Sequence, residues 1–361
     1  MNKSMENTAV KRNSYRDYIQ FKIMVIVLLV ILTFLAALFS ITAGSAGLTI
    51  KEVFLTLIGK GTEATKTVVL NLRLTRVLAS IIGGLGLGIT GCAMQSILRN
   101  PLASASTVGV SQGAAFGAAF AIVVLGAGVQ YHTNDAVTVT NPYLVSICAF
   151  AFSMLSTFVV LGISKFRKVS PETMILAGVA LSALFGGGTT IMQYFADDVS
   201  LAAIVFWTFG DMGRASWKQI IIMAVTVLAG SVYFIFNRWN YNALQSGENS
   251  AKGLGVNVDS MRITGMTICS FTAAVIVSYV GIINFVGLVS PHVMRRIIGD
   301  DYRYLLPASA LMGALMLLFS DTVARLVVAP VVLPIGAITS FLGAPLFLYL
   351  LFKGVQTNDQ R

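Results

Sequence analysis

The chain has 361 residues, 56% of them hydrophobic and 11% charged, with a mean hydropathy of +0.81 and a net charge of +10. About a quarter of an ordinary soluble domain is charged, so a water-soluble globule is excluded. The basic excess implies no nucleic acid, because it sits between apolar blocks about 20 residues long, the length at which a helix crosses a hydrocarbon core with its backbone internally bonded.

In chain order the pattern predicts a loose polar tail over 1–21, followed by ten spans. These fall at 22–43, 70–92, 105–128, 142–164, 172–195, 217–237, 263–281, 282–298, 304–325 and 332–352, with a short tail over 354–361. The expected fold is one all-α polytopic membrane bundle over residues 22–353. The first apolar run, Ile23 to Ala43, exceeds the ~7–15 residues of a signal-peptide core, so it reads as an uncleaved span. The eighth block carries Pro291 and His292 and reads as a bent or partial span held by its neighbours. With the N-terminus inside, 17 of the 25 Lys and Arg residues fall on the cytoplasmic side, which predicts cytoplasmic termini.

Little in the chain points to catalysis or metal binding. Cys92, Cys148 and Cys269 lie singly in apolar blocks and read as packing residues, and His132 and His292 are too few for a histidine-built metal centre. Gly86, Gly88 and Gly91 match a GxGxxG pattern, but they lie within an apolar helical block. Together with Gly84, Gly113 and Gly117 they read as sites of close helix packing. The chain has no GxxxxGK[ST] loop, so it binds no nucleotide phosphate through one. Asp321 is the one acid well inside a block, and Arg325 four residues on explains it as an i,i+4 pair rather than as a coupling carboxylate. Active transport would then draw on a separate ATPase.

Several ordered motifs carry a resemblance. Arg73-Leu-Thr-Arg76, Arg99-Asn-Pro-Leu-Ala103, Gly109-Val-Ser-Gln-Gly-Ala114, Gly253-Leu-Gly-Val256, Phe285-Val-Gly-Leu-Val-Ser-Pro-His292, Asp321-Thr-Val-Ala-Arg325, Leu333-Pro-Ile-Gly336 and Leu342-Gly-Ala-Pro345 resemble the FecCD-type permeases of bacterial ABC importers. These take up iron-siderophores, haem and vitamin B12. The resemblance implies a ten-helix, vitamin B12-importer-like permease in the bacterial cytoplasmic membrane. Its implied partners are a second permease (the same or a sister chain), two ABC ATPases that bind the ATP, and an extracytoplasmic substrate-binding protein. No cofactor is expected on the chain itself, and iron-siderophore is the expected cargo, with haem or cobalamin next.

The resemblance also assigns roles. Arg73, Arg76 and Arg325 are expected at the outer rim, docking acidic residues of the binding protein. The polar stretch from Asn240 to Ser260 is expected to hold an amphipathic coupling helix that sits in a cleft of the ATPase, with Ala243, Leu244, Glu248, Ala251, Gly253, Leu254 and Gly255 as its residues. Gly253 and Gly255 are able to end that helix. Asn100 and Leu102 are expected at a cytoplasmic gate opposite Pro171 and Glu172, although helix capping also accounts for Asn100. The rival class is a channel or secondary carrier acting alone, which would transport without nucleotide.

Overall fold

The structure, a computed structural model, describes residues 2–44, 48–127, 129–131, 137–139, 141–166 and 170–358, with side chains over 15–44, 48–127, 141–163 and 170–349. Fifteen helices occur among them. They are α1 (Asn2–Thr42), α2 (Ile50–Leu57), α3 (Glu63–Lys66), α4 (Thr75–Ile97), α5 (Val110–Val123), α6 (Pro142–Phe166), α7 (Pro171–Phe195), α8 (Asp198–Thr208), α9 (Trp217–Phe236), α10 (Arg238–Gln245), α11 (Glu248–Gly253), α12 (Val258–Val280), α13 (Val286–Ile298), α14 (Tyr302–Leu326) and α15 (Ile335–Asn358). A π-helical stretch, Thr67–Leu74, fuses α3 to α4. A small antiparallel hairpin, β1 (Val129–Tyr131) with β2 (Val137–Val139), joins α5 to α6.

Ten helical segments cross the bundle: α1, α3–α4, α5, α6, α7, α9, α12, α13, α14 and α15. The face where α1 starts and α15 ends is the terminal face, and the opposite one is the distal face. Among the residues whose side chains are described, seven of the ten are long and apolar enough to span a membrane by themselves, α15 counts there only as Ile335–Tyr349, and α5 and α13 are short. At ~1.5 Å per residue, 13 or 14 residues reach only about 20 Å of a ~30 Å core. A 3-10 turn over Ala105–Val108 with Gly109, and non-helical backbone over 281–285, extend these two crossings. They are tolerated at that depth because Val108, Ile283 and their neighbours are buried in protein.

The expected boundaries need three corrections. The tail over 1–21 is not loose: α1 is continuous from Asn2, because no glycine or proline interrupts the sequence before Gly44. The third span is helical only from Val110, after a 3-10 turn and Gly109 at φ +83°. The helix α8 was not foreseen, since 11 apolar residues fall short of a span; it packs on α5 near the distal face instead of crossing.

The central contact is α4 against α14 and α13, and it explains the glycine pattern. A Cβ at Gly84, Gly88 or Gly91 would meet the backbone of Gly313, Ser309 or Gly287. The glycines therefore allow backbones to touch, as expected for small-residue packing. Helix propensity alone favours alanine over glycine by about 1 kcal/mol, but rigid backbone cannot yield to the added atoms. Gly88→Val is expected to destabilise the protein by about 1–3 kcal/mol or more, read as a lower unfolding midpoint in detergent.

Candidate functional site

Three regions hold the residues singled out by sequence. At the distal face, Arg73, Arg76 and Arg325 do come together, but they do not form a free rim. Arg73 is 6% exposed, and the side chains of Arg76 and Arg325 are 12% and 11% exposed. Arg73 Nη1 donates to the carbonyls of Ile41 and Thr42 at 2.9 and 3.0 Å, closing the end of α1. Arg325 donates to Asp321 Oδ2 at 3.1 Å, to Ser40 Oγ at 2.6 Å and to the Ala43 carbonyl at 3.1 Å. Arg76 Nε donates to Asp321 Oδ1 at 2.7 Å, and its Nη2 lies 2.7 Å from Asp211 Oδ1.

The i,i+4 pair expected for Asp321 is thus present, and Arg76 joins it from 245 residues away. The cluster turns inward because the orphan carbonyls at the end of α1 and two carboxylates offer buried donors better partners than a hydrated surface does. Asp211 is held in place by its own backbone, whose N–H donates to the Val280 carbonyl at 2.8 Å. This links α1, α4, α12, α14 and the turn after α8. Arg73 Nη2 is buried without a hydrogen-bond partner among the described residues.

On the terminal face, the stretch from Asn240 to Ser260 forms two short helices, α10 and α11, rather than one. Leu244 and Ala251 are buried in the bundle core instead of facing outward, and Ala243 is half-buried against it. Apart from Glu248, the helices are anchored by residues that sequence reasoning did not select. Tyr241 stacks on Tyr302 at 5.0 Å, and Tyr302 Oη donates to the Cys92 carbonyl at 2.7 Å. Asn242 donates to Asp301 at 3.2 Å and accepts from the Tyr302 N–H at 2.7 Å. Glu248 pairs with Lys252 at 2.9 Å and with the buried Arg262 at 2.7 Å. The one available signal was an aromatic and an amide, Tyr241 and Asn242, in a polar loop.

The end of α11 sets the exposed tip. Val256 N–H donates to the Ala251 carbonyl and Gly255 N–H to the Lys252 carbonyl, each at 3.0 Å, with Gly255 at φ +83°. These are the two bonds of a Schellman motif, and glycine suits its left-handed position. Gly253 is the last helical residue. The reversal leaves Leu254 at the tip, 73% exposed.

Burial pushes the Asp301 carboxyl upward, but hydrogen bonds from Arg303 and Asn242 outweigh it and hold the group at about 2. Hydrogen bonds from Lys252 and Arg262 likewise hold Glu248 below its ordinary range. Both shifts are downward, so their stabilisation is full at neutral pH and is lost as the pH falls through the carboxylate range, for Asp301 between about 4 and 2. Asp301 accounts for up to about 2 kcal/mol of this. Trp239, with Arg303 over its ring at 5.1 Å, reports on α10. With Trp239 as sole tryptophan, its emission is expected to shift over that window, and Asp301→Asn should abolish the shift.

The residues expected at a gate lie on the same face. Arg99 is left-handed at φ +47°, and Asn100 Oδ1 accepts from the Leu102 N–H at 2.8 Å, which shapes the turn after α4. Asn100 is half-buried and Leu102 is exposed. Pro171 and Glu172 form the first turn of α7, where the Ser170 hydroxyl accepts from the Thr173 N–H at 3.2 Å. Local turn and cap bonds account for Asn100 and Ser170.

A ten-crossing helical bundle with buried ion clusters and a structured loop on one face is the architecture of a multi-pass membrane permease. Residues 28–353 match the FecCD transport family. A protein of Methanocaldococcus jannaschii that bears the name of an ABC transporter permease is 49% identical, covering 94% of this chain and 97% of its own. The hemin transport system permease of Yersinia pestis is 33% identical, covering 90% and 94%. A solved structure described as an inward-facing metal-chelate type ABC transporter superposes with a TM-score of 0.80 at 29% identity, over 91% of this chain and 99% of that one. The chain belongs to the FecCD transport family and is an ABC importer permease.

Proposed function

We propose that this chain is the membrane-spanning subunit of a binding-protein-dependent importer that moves an iron-siderophore inward, driven by ATP hydrolysis on two separate ATPase subunits. The observation that carries the reading is the terminal-face loop. There α10 and α11, fixed to α4 and α14, present Leu254 at a rigid turn, which suits engagement with a soluble motor. On this reading the terminal face is cytoplasmic, in keeping with its basic excess. Asn100 and Leu102, with Pro171 and Glu172 opposite, form the inner gate.

A second permease, the same or a sister chain, would cover α7, on which Leu176, Leu184 and Tyr194 are 70%, 67% and 82% exposed. The extracytoplasmic binding protein docks on the distal face. Arg73, Arg76 and Arg325 would accept its acidic residues only by exchanging bonds they already make. Arg76→Glu is expected to weaken docking in a salt-dependent manner.

The metal-chelate structure supports the cargo class, and the hemin relative favours haem as a second reading. Proteoliposomes with the ATPases and binding protein are expected to accumulate radiolabelled ferric siderophore when ATP is supplied to the motor. Preference for hemin or cobalamin would reassign the cargo. Accumulation without any ATPase would overturn the mechanism in favour of a lone carrier.

A further inference from the structure

A cavity of about 360 Å³ lies between the distal ends of α6, α8, α9 and α12, with Tyr143, Phe206, Trp207, Arg214, Gln219 and Tyr279 in its wall. A second crevice of about 210 Å³ shares Tyr143, Ser146 and Tyr279 with it and continues to Phe150 and Val275. Tyr143, Ser146, Ile147 and Phe150 follow i, i+3, i+4, i+7 spacing and so line one face of α6, while Val275, Ser278 and Tyr279 line one face of α12. Seven helical residues advance about 10 Å. The two spaces form a groove that descends from the distal rim to hydrocarbon depth and is open on the side of Tyr143 and Ile147, which are 59% and 63% exposed.

Arg214 closes the distal end of the groove. It donates to the backbone carbonyls of Phe206 and Trp207 at 3.2 and 3.4 Å and lies 6.0 Å from the Trp207 ring centre. No ion pair among the described residues includes it; Asp211, whose charge it senses, is engaged by Arg76. Burial pulls the Arg214 pKa down, and an anion sharing the cavity would favour the charged form. Lys218, exposed at the start of α9, adds a second cation at the same end. Arginine among tyrosine and tryptophan at a bilayer rim suits a phosphate, and a shallow apolar groove below it suits a chain that arrives through lipid.

We propose that this groove binds one anionic phospholipid of the distal leaflet, with its phosphate on Arg214 and one acyl chain along α6 and α12. A soluble anion has no use for the apolar limb, and a protein partner would have to reach it through hydrocarbon. The inference is independent of the cargo.

The test is native mass spectrometry of the full chain, delipidated in detergent and titrated with phosphatidylglycerol, phosphatidylcholine or glycerol 1-phosphate. The expected result is one phosphatidylglycerol per chain, held about tenfold more tightly than phosphatidylcholine, whose choline cation offsets the phosphate charge and is repelled by Arg214 and Lys218, with no retained glycerol phosphate. Arg214→Gln is expected to remove the preference for phosphatidylglycerol. Ser146→Phe, which fills the groove and leaves Arg214 in place, is expected to remove both lipids. Equal binding of the two lipids, an unaltered preference in Arg214→Gln, or glycerol phosphate bound as well as the lipid would each overturn the proposal.

Discussion

Asp321→Ala is expected to destabilise the folded bundle by about 3–5 kcal/mol, the loss typical of removing one partner from a buried ionic cluster. The carboxylate is fully buried and receives two guanidinium groups, Arg76 at 2.7 Å and Arg325 at 3.1 Å. Without it, Arg325 keeps only Ser40 and carbonyls at the end of α1, and Arg76 keeps only Asp211, so positive charge stays in a low-dielectric setting with less compensation. Asp321→Asn preserves shape and removes charge, and it should recover little of the loss. The damage should spread to α1, because Arg325 and Thr322, which donates to Ser40 Oγ at 3.0 Å, fasten that helix to α14. Denaturation in mixed detergent measures the effect, and an unfolding midpoint equal to that of the unaltered chain would remove the cluster from any structural role.

The spans were legible because lipid imposes one demand, a helix-length run of apolar residues, that composition alone displays. The glycines at 84, 88 and 91 were legible for a related reason, since a missing side chain in a span signals close backbone approach. The arginine cluster was read only in part. The local partner of Asp321 sat four residues away, but Arg76 sat 245 residues away, and nothing in the chain distinguishes an arginine that snorkels to the rim from one drawn inward by a distant carboxylate. The coupling stretch shows the same limit. Its helix-ending glycines were visible in sequence, whereas the burial of Leu244 and Ala251 depends on Tyr241 and Asn242 finding Tyr302 and Asp301, contacts made about 60 residues apart. The helix α8 escaped because packing against α5, rather than lipid, satisfies its apolar face.

Leu254→Ser should largely abolish ATP-driven transport and leave the fold intact. In the proposed assembly this side chain is the apolar tip of the terminal-face loop, 73% exposed and held by a glycine turn that fixes its direction. Burying a leucine in a partner's cleft stabilises a complex by about 1.5–3 kcal/mol, so its loss should weaken ATPase association by roughly 10- to 100-fold. Gly255→Val is expected to act through the same tip, since a β-branched residue is disfavoured at positive φ and would redirect Leu254. Glu248→Lys, which reverses charge beside Arg262 and Lys252, should instead loosen α11 from α12 and lower stability as well as coupling. Co-purification of the ATPase, ATP hydrolysis and uptake in the same vesicles distinguish these effects. If Leu254→Ser retained the ATPase and transported at the original rate, the motor would engage this chain elsewhere.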